Sequence, residues 1–197
     1  MSLKEEIIDY EEYKKDIEHW ALLKGDYKYY EIITFLKTKQ IDCTWKNISN
    51  YIRYDKRLLT NSFKYLTFLE EFYKSVLIKS ENVSNKKILK MSFSNVLEKY
   101  LSLDEIINFD NMDLKLLKEN QKAIVKLRNF VCHNRILLNG KYDGMNIKEI
   151  LIIFLKILPE SYRSGFVKDI NSCTKDLVVD LYYIELTNDE KEILWFM

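Results

Sequence analysis

"YDKRLLTNSFKYLTFLEEFYKSVL", residues 54–77, decides the fold class. Leu59, Phe63, Leu66, Leu69, Tyr73, Val76 and Leu77 recur every three or four positions, the spacing that lines side chains along one face of an α-helix. Glu70 lies four residues after Leu66 and three before Tyr73, so it points into that apolar stripe, whereas Glu71 lies about 100° further round. A carboxylate in the stripe asks for a cation, because an unpaired buried charge is costly.

Working outward, the pattern stays helical. Residues 3–40 read as two helices separated at Gly25 and Asp26, the first through Ile7, Ile8, Trp20, Leu22 and Leu23, the second through Tyr29, Ile32, Ile33 and Leu36. Thr44 is placed to cap a short helix holding Trp45, Ile48, Tyr51 and Ile52, ahead of the long one. A short helix is expected over 93–101, then the loop NFDNMD. Asp113 is placed to cap a helix through Leu116, Leu117, Ile124, Leu127 and Val131. A turn follows at Asn139, Gly140, Asp143 and Gly144. Asn146 caps NIKEILIIFLKIL, apolar nearly all round and central to the core, and Pro159 ends it. Two more helices are expected near 161–172 and 174–186, then a short tail.

Composition agrees. The 197 residues include 4 Gly and 1 Pro, too few turn formers for an all-β chain, while 47% hydrophobic content suffices for a packed core. The expectation is an all-α bundle: an N-terminal helical extension over 1–45 and a helical domain over 46–197, or one continuous domain. A net charge of +1 leaves room only for a local basic patch, not for general nucleic-acid coating. Cys43, Cys132 and Cys173 are far apart and lack metal-ligand spacing, so neither a metal, a cofactor nor a disulfide framework is expected. The charged N-terminus lacks a signal-peptide core, and LIIFLKIL is too short to span a bilayer, so the reading is a cytoplasmic protein with no membrane partner.

"LRNFVCHNRIL", residues 127–137, carries the candidate chemistry. Arg128, Asn129, His133, Asn134 and Arg135 interrupt an apolar helical run. On an ideal helix Arg128 and His133 stand about 140° apart, so they converge only if the helix is distorted or a second copy completes the site. Asn129 and His133 share a face, where an amide can fix the imidazole tautomer. Arg128 is a suitable partner for Glu70, as is Lys74. One His, one Arg and one Asn suit phosphodiester transfer within RNA, in which the 2′-OH is already held near phosphorus and the protein must move protons and offset developing charge. Such chemistry profits from an acid and a base together, and a twofold homodimer would bring a second His133 to the axis.

These residues resemble the HEPN superfamily, whose motif is an Arg, four to six intervening residues and a His. The wider context resembles the Abi-like (AbiD/AbiF-type) abortive-infection proteins, through Tyr54, Asp55, Leu69 and Glu70 and then Arg128, Asn129, His133, Asn134 and Arg135. The likeness spans roughly residues 50 to 160. It implies a HEPN-type helical bundle with additional N-terminal helices, acting as a homodimeric, metal-independent endoribonuclease in phage defence. His133 would transfer protons, Arg128 would clamp the scissile phosphate, Asn129 and Asn134 would orient them, and Glu70 would support Arg128. Lys122, Lys126 and Arg135 would meet the RNA backbone. A small noncoding RNA or an antitoxin is a further partner of this kind of protein. In the branch modified by a nucleotidyltransferase a Tyr follows the His by two residues; Arg135 stands there, which disfavours that branch.

Plainer readings stand beside these. Arg128 and His133 also suit an ordinary helix face, and Lys115, Lys118, Lys122 and Lys126 a solvated one. His19 beside Trp20 reads as structural, the Tyr29–Tyr30 and Tyr182–Tyr183 pairs as core or interface residues or as base-stacking groups, and Cys132 as a poor nucleophile with no orienting acid. The alternatives to the nuclease are a non-catalytic RNA-binding module and a helical protein-interaction regulator.

Overall fold

A computed structural model describes residues 2–80, 85–103, 109–179 and 181–187. Among them are ten α-helices and no strand, so the chain is all-α. Helices α1 (Leu3–Glu6), α2 (Tyr10–Lys24) and α3 (Asp26–Thr38) come first. Gly25 separates α2 from α3 as expected, with φ of 85°, where an added Cβ would meet the Tyr27 ring at 2.9 Å.

The axis of the molecule is α4, Trp45–Ser80, one helix of 36 residues and about 54 Å. The sequence suggests a short helix before a separate longer one, and the structure joins them. Ile48, Tyr51, Ile52, Asp55, Leu58, Leu59, Ser62, Tyr65, Leu66, Leu69, Tyr73, Val76 and Leu77 form one buried stripe, because Asp55 sits within it instead of interrupting it. Thr44 caps this longer helix through the Asn47 N–H, and the Asp9 carboxylate accepts the Trp45 N–H at 2.7 Å.

Around α4 pack α3, α5 (Asn85–Leu89), α6 (Phe93–Leu101), α8 (Gln121–Cys132) and α10 (Glu160–Asn171). Ser92 caps α6 and Asp113 caps α7 (Leu114–Glu119). The single helix expected from Asp113 to Val131 is two: Asn120, at φ −111° and ψ 19°, breaks it, and its side-chain amide donates to the Leu116 carbonyl. Asn146 and Glu149 form a capping box on α9 (Ile147–Ile157), and Pro159 starts α10 after ending α9. Of the loop NFDNMD, Asn108 lies outside the described residues; Asp110 is tied to the α9–α10 junction through the Glu160 and Ser161 N–H groups.

Among the described residues no α-helix occurs over 174–186, where one is expected. One 3-10 turn (Ser172–Thr174) leads into a non-helical run. Its sequence, DLVV over 176–179 and LYYIEL over 181–186, is rich in β-branched and aromatic residues that lose χ1 freedom in a helix. Side chains of the helices supply its backbone partners: Tyr54 Oη accepts the Ile184 N–H at 2.8 Å, and the Asn171 amide exchanges two bonds with Leu186. The expected tail after 187 lies outside the described residues. One hydrophobic cluster runs from Leu3 to Leu186 and includes α1–α3 as well as the bundle.

Candidate functional site

The site begins where α8 ends. The sequence continues helically to Leu137, but α8 stops at Cys132, and His133 is its C-cap. Asn134 follows with φ of 53°; its N–H reaches the Val131 carbonyl, and the Arg135 N–H reaches that of Phe130. This is a Schellman ending, which needs a left-handed residue after the cap, a conformation asparagine tolerates better than most. Arg135 lies 5.4 Å over the Phe130 ring, the side-chain contact that accompanies such an ending.

Behind this turn, Asp55 of α4 is buried and accepts the N–H groups of Leu137 and Leu138 on one oxygen, at 2.7 and 2.9 Å. Burial raises its carboxyl to about 7, against the pull of those two N–H groups and of Lys28 and Lys56. One residue on, the Lys56 ammonium donates to the Asn134 Oδ1 at 3.0 Å. Consecutive residues of α4 thus fasten the chain after the motif at two points. Neither role is apparent from composition or spacing; the available clue was a carboxylate on an apolar stripe.

Arg128 projects from α8 onto α4. Its Nε and Nη2 both donate to Glu70 Oε2, at 3.3 and 3.1 Å, while Lys74 Nζ donates to Glu70 Oε1 at 2.7 Å. Both partners expected for Glu70 are therefore engaged. Burial pushes the Glu70 carboxyl up, but the hydrogen bonds and charges of Lys74 and Arg128 outweigh it and hold it below the ordinary value. The Arg128 guanidinium also lies 5.9 Å over the Phe93 ring. With its side chain 26% exposed and no hydrogen bond from Nη1 among the described residues, it keeps donors for an outside anion.

His133, Asn129, Lys122 and Lys126 are exposed. Asn129 and His133 meet through the backbone, the His133 N–H donating to the Asn129 carbonyl. Among the described residues, no hydrogen bond joins the His133 ring to Asn129, Asn134 or Arg128. Lys115 and Lys118 lie on α7 and Lys122 and Lys126 on α8, so the row of lysines is divided at Asn120. Cys132 reaches the surface, but the packing about its sulfur raises the thiol despite nearby Arg128. Tyr29 is buried against Trp45 rather than open to a base. No cluster of three metal-ligating side chains occurs among the described residues, and no helix among them is long and apolar enough to cross a membrane.

What the chain assembles is a guanidinium fixed by a carboxylate and a ring, with free donors, on the same helix as an exposed imidazole at its end. Set against protein-family models, curated proteins and solved structures, the chain matches none of them.

Proposed function

We propose that the protein is a metal-independent endoribonuclease of the HEPN type that works as a homodimer in defence against phage. The observation that carries the reading is Arg128, held by Glu70 and Phe93 at the surface with no partner for Nη1 among the described residues, five residues before an exposed His133. A guanidinium so positioned suits a phosphate, since little freedom is lost on binding. The defence role rests on the resemblance alone.

In the reaction, the ribose 2′-oxygen bonds to phosphorus as the bond from phosphorus to the 5′-oxygen breaks. One His133 takes the 2′-OH proton, and His133 of a second copy, protonated, supplies a proton to the departing oxygen. Arg128 offsets the charge on the phosphorane oxygens. The second reading, a non-catalytic module that holds an RNA such as a small noncoding one, is favoured by the lack, among the described residues of one chain, of a side chain hydrogen-bonded to the His133 ring.

The test is incubation of mixed RNA in EDTA with the wild type, His133→Ala and Arg128→Ala, with sedimentation to read the assembly. Fragments ending in 2′,3′-cyclic phosphate, reduced at least about a hundredfold in His133→Ala, are expected from a dimer. Salt-sensitive binding without cleavage selects the module, and a monomer that neither binds nor cuts RNA removes both readings.

A further inference from the structure

A cavity of about 250 Å³ opens between α2, α3 and α4, lined by none of the motif's own residues. Its walls are three aromatic side chains and two cations: Trp20 and Lys24 from α2, Tyr29 from α3, and Trp45 and Arg53 from α4, with Ser49 and Ile52 also lining it. Trp20 is 42% exposed. Lys24 and Trp20 are one helical turn apart, and the ammonium lies 4.6 Å from the indole centroid. Tyr29 stacks behind Trp45 at 6.0 Å and 17°, so that wall is rigid.

The charges here are unbalanced. Among the described residues, neither Lys24 nor Arg53 has an ion pair or hydrogen bond. Burial first, then the charges of Arg53 and Lys28, lower the Lys24 ammonium below its ordinary value. The Asp9 carboxylate accepts the Trp45 N–H, and Asp26, in the first turn of α3, acts on Tyr29. Uncompensated cations around a partly buried indole are costly to the free protein, and an anion carrying a flat ring would relieve both the repulsion and the exposed aromatic surface. The larger cavity, near 550 Å³, lacks this character, because its Glu6 and Lys37 are paired with each other.

We propose that this pocket binds one nucleotide unit, the base stacked on Trp20 and the phosphate held between Lys24 and Arg53. The unit comes either as a free mononucleotide or as one residue of an RNA strand. Arg53 stands one turn before Lys56, which holds Asn134, so a strand seated here lies beside the end of α8. The inference is independent of cleavage and stands if the motif is inert.

The test is calorimetric titration of the full chain with adenosine 5′-monophosphate, with inorganic phosphate, and with an eight-nucleotide 2′-O-methyl adenylate, which offers no 2′-OH to attack. Saturable binding of the mononucleotide, about tenfold or more tighter than phosphate, is expected if the ligand is free; binding of the oligonucleotide alone indicates a strand. In either case Trp20→Ala and Arg53→Glu weaken it about tenfold or more, and Trp20→Phe retains it. Both side chains are exposed, so folding is expected to survive, and circular dichroism checks it. A measurement free of variants is the transfer of magnetisation from the Trp20 indole to the base protons in the wild type. The proposal is overturned if neither nucleotide binds, if phosphate binds as well as the mononucleotide, if the two variants bind like the wild type, or if the indole and base show no transfer. His133→Ala leaves the pocket's binding unchanged, which separates this outcome from the fate of the nuclease reading.

Discussion

Asp55 shows how much one side chain can organise. Its single oxygen holds two buried backbone N–H groups of the segment after the motif. Asp55→Ala orphans both, at about 1–3 kcal/mol each, read as a lower urea midpoint. Its pH effect has a definite sign. The folded carboxyl titrates near 7, above the ordinary carboxylate range, so its contribution to stability is complete below about pH 4 and is lost as pH rises through 7. Asp55→Asn keeps an oxygen acceptor but cannot ionise, and the wild-type stability minus that of the variant should fall steadily from pH 4 to 8. A flat difference would show that the carboxylate is not desolvated. Asn134 is the second residue of this kind. At φ of 53° a glycine is tolerated and a β-branched residue is not. Asn134→Gly is therefore expected to leave stability within about 1 kcal/mol of the wild type, and Asn134→Val to lower it by about 1–3 kcal/mol in thermal unfolding. The same residue that resembles a catalytic motif thus has a structural duty, and activity lost in Asn134→Val alone does not identify a catalytic group.

Elements were legible in the sequence to the extent that their stripes were. The predicted centres of α3, α6 and α9 and the caps at Asp113 and Asn146 coincide with the structure, because periodicity and capping act within a few residues. Boundaries failed where a distant contact or a left-handed residue decided them. The short helix from Trp45 and the long one from Tyr54 are continuous because Asp55, between them, is buried on its partners at 137 and 138. The end of α8 was hidden because an asparagine, not a glycine, takes the left-handed position; Gln40 ends α3 in the same way. The C-terminal run is non-helical because α4 and α10 offer it hydrogen bonds, and this is testable. Tyr54→Phe removes the acceptor of the buried Ile184 N–H, with an expected loss of about 1–3 kcal/mol and faster hydrogen exchange at Ile184. Unchanged exchange there would mean that the Tyr54 hydroxyl does not hold this part of the run. The candidate site was half legible: the Glu70–Arg128 pair could be anticipated from an inward carboxylate, whereas Lys56, Phe93 and the Trp20–Trp45 pocket have no sequence pattern that unites them.

At the scale of the whole molecule, α1–α3 share one hydrophobic cluster with the bundle. Ile17, Ile32 and Leu36 are fully buried, and Glu31 receives a hydrogen bond from Asn139 beyond the motif. Each such aliphatic side chain contributes about 1.5–3 kcal/mol by its burial. A chain lacking residues 2–40 is accordingly expected to lose cooperative thermal unfolding and the chemical-shift dispersion of a packed core. Retention of both would establish 46–197 as an independent domain. By itself the sequence determined the all-α class, most helix positions and the residues available for chemistry, since helical periodicity and composition are local properties. Only the tertiary structure decided where α4 and α8 run and end, that the last segment is not helical, and which groups meet. Glu70 and Arg128 are 58 residues apart and Asp55 and Leu137 82 apart, and a buried charge or N–H takes whichever partner the packed chain brings within hydrogen-bonding distance.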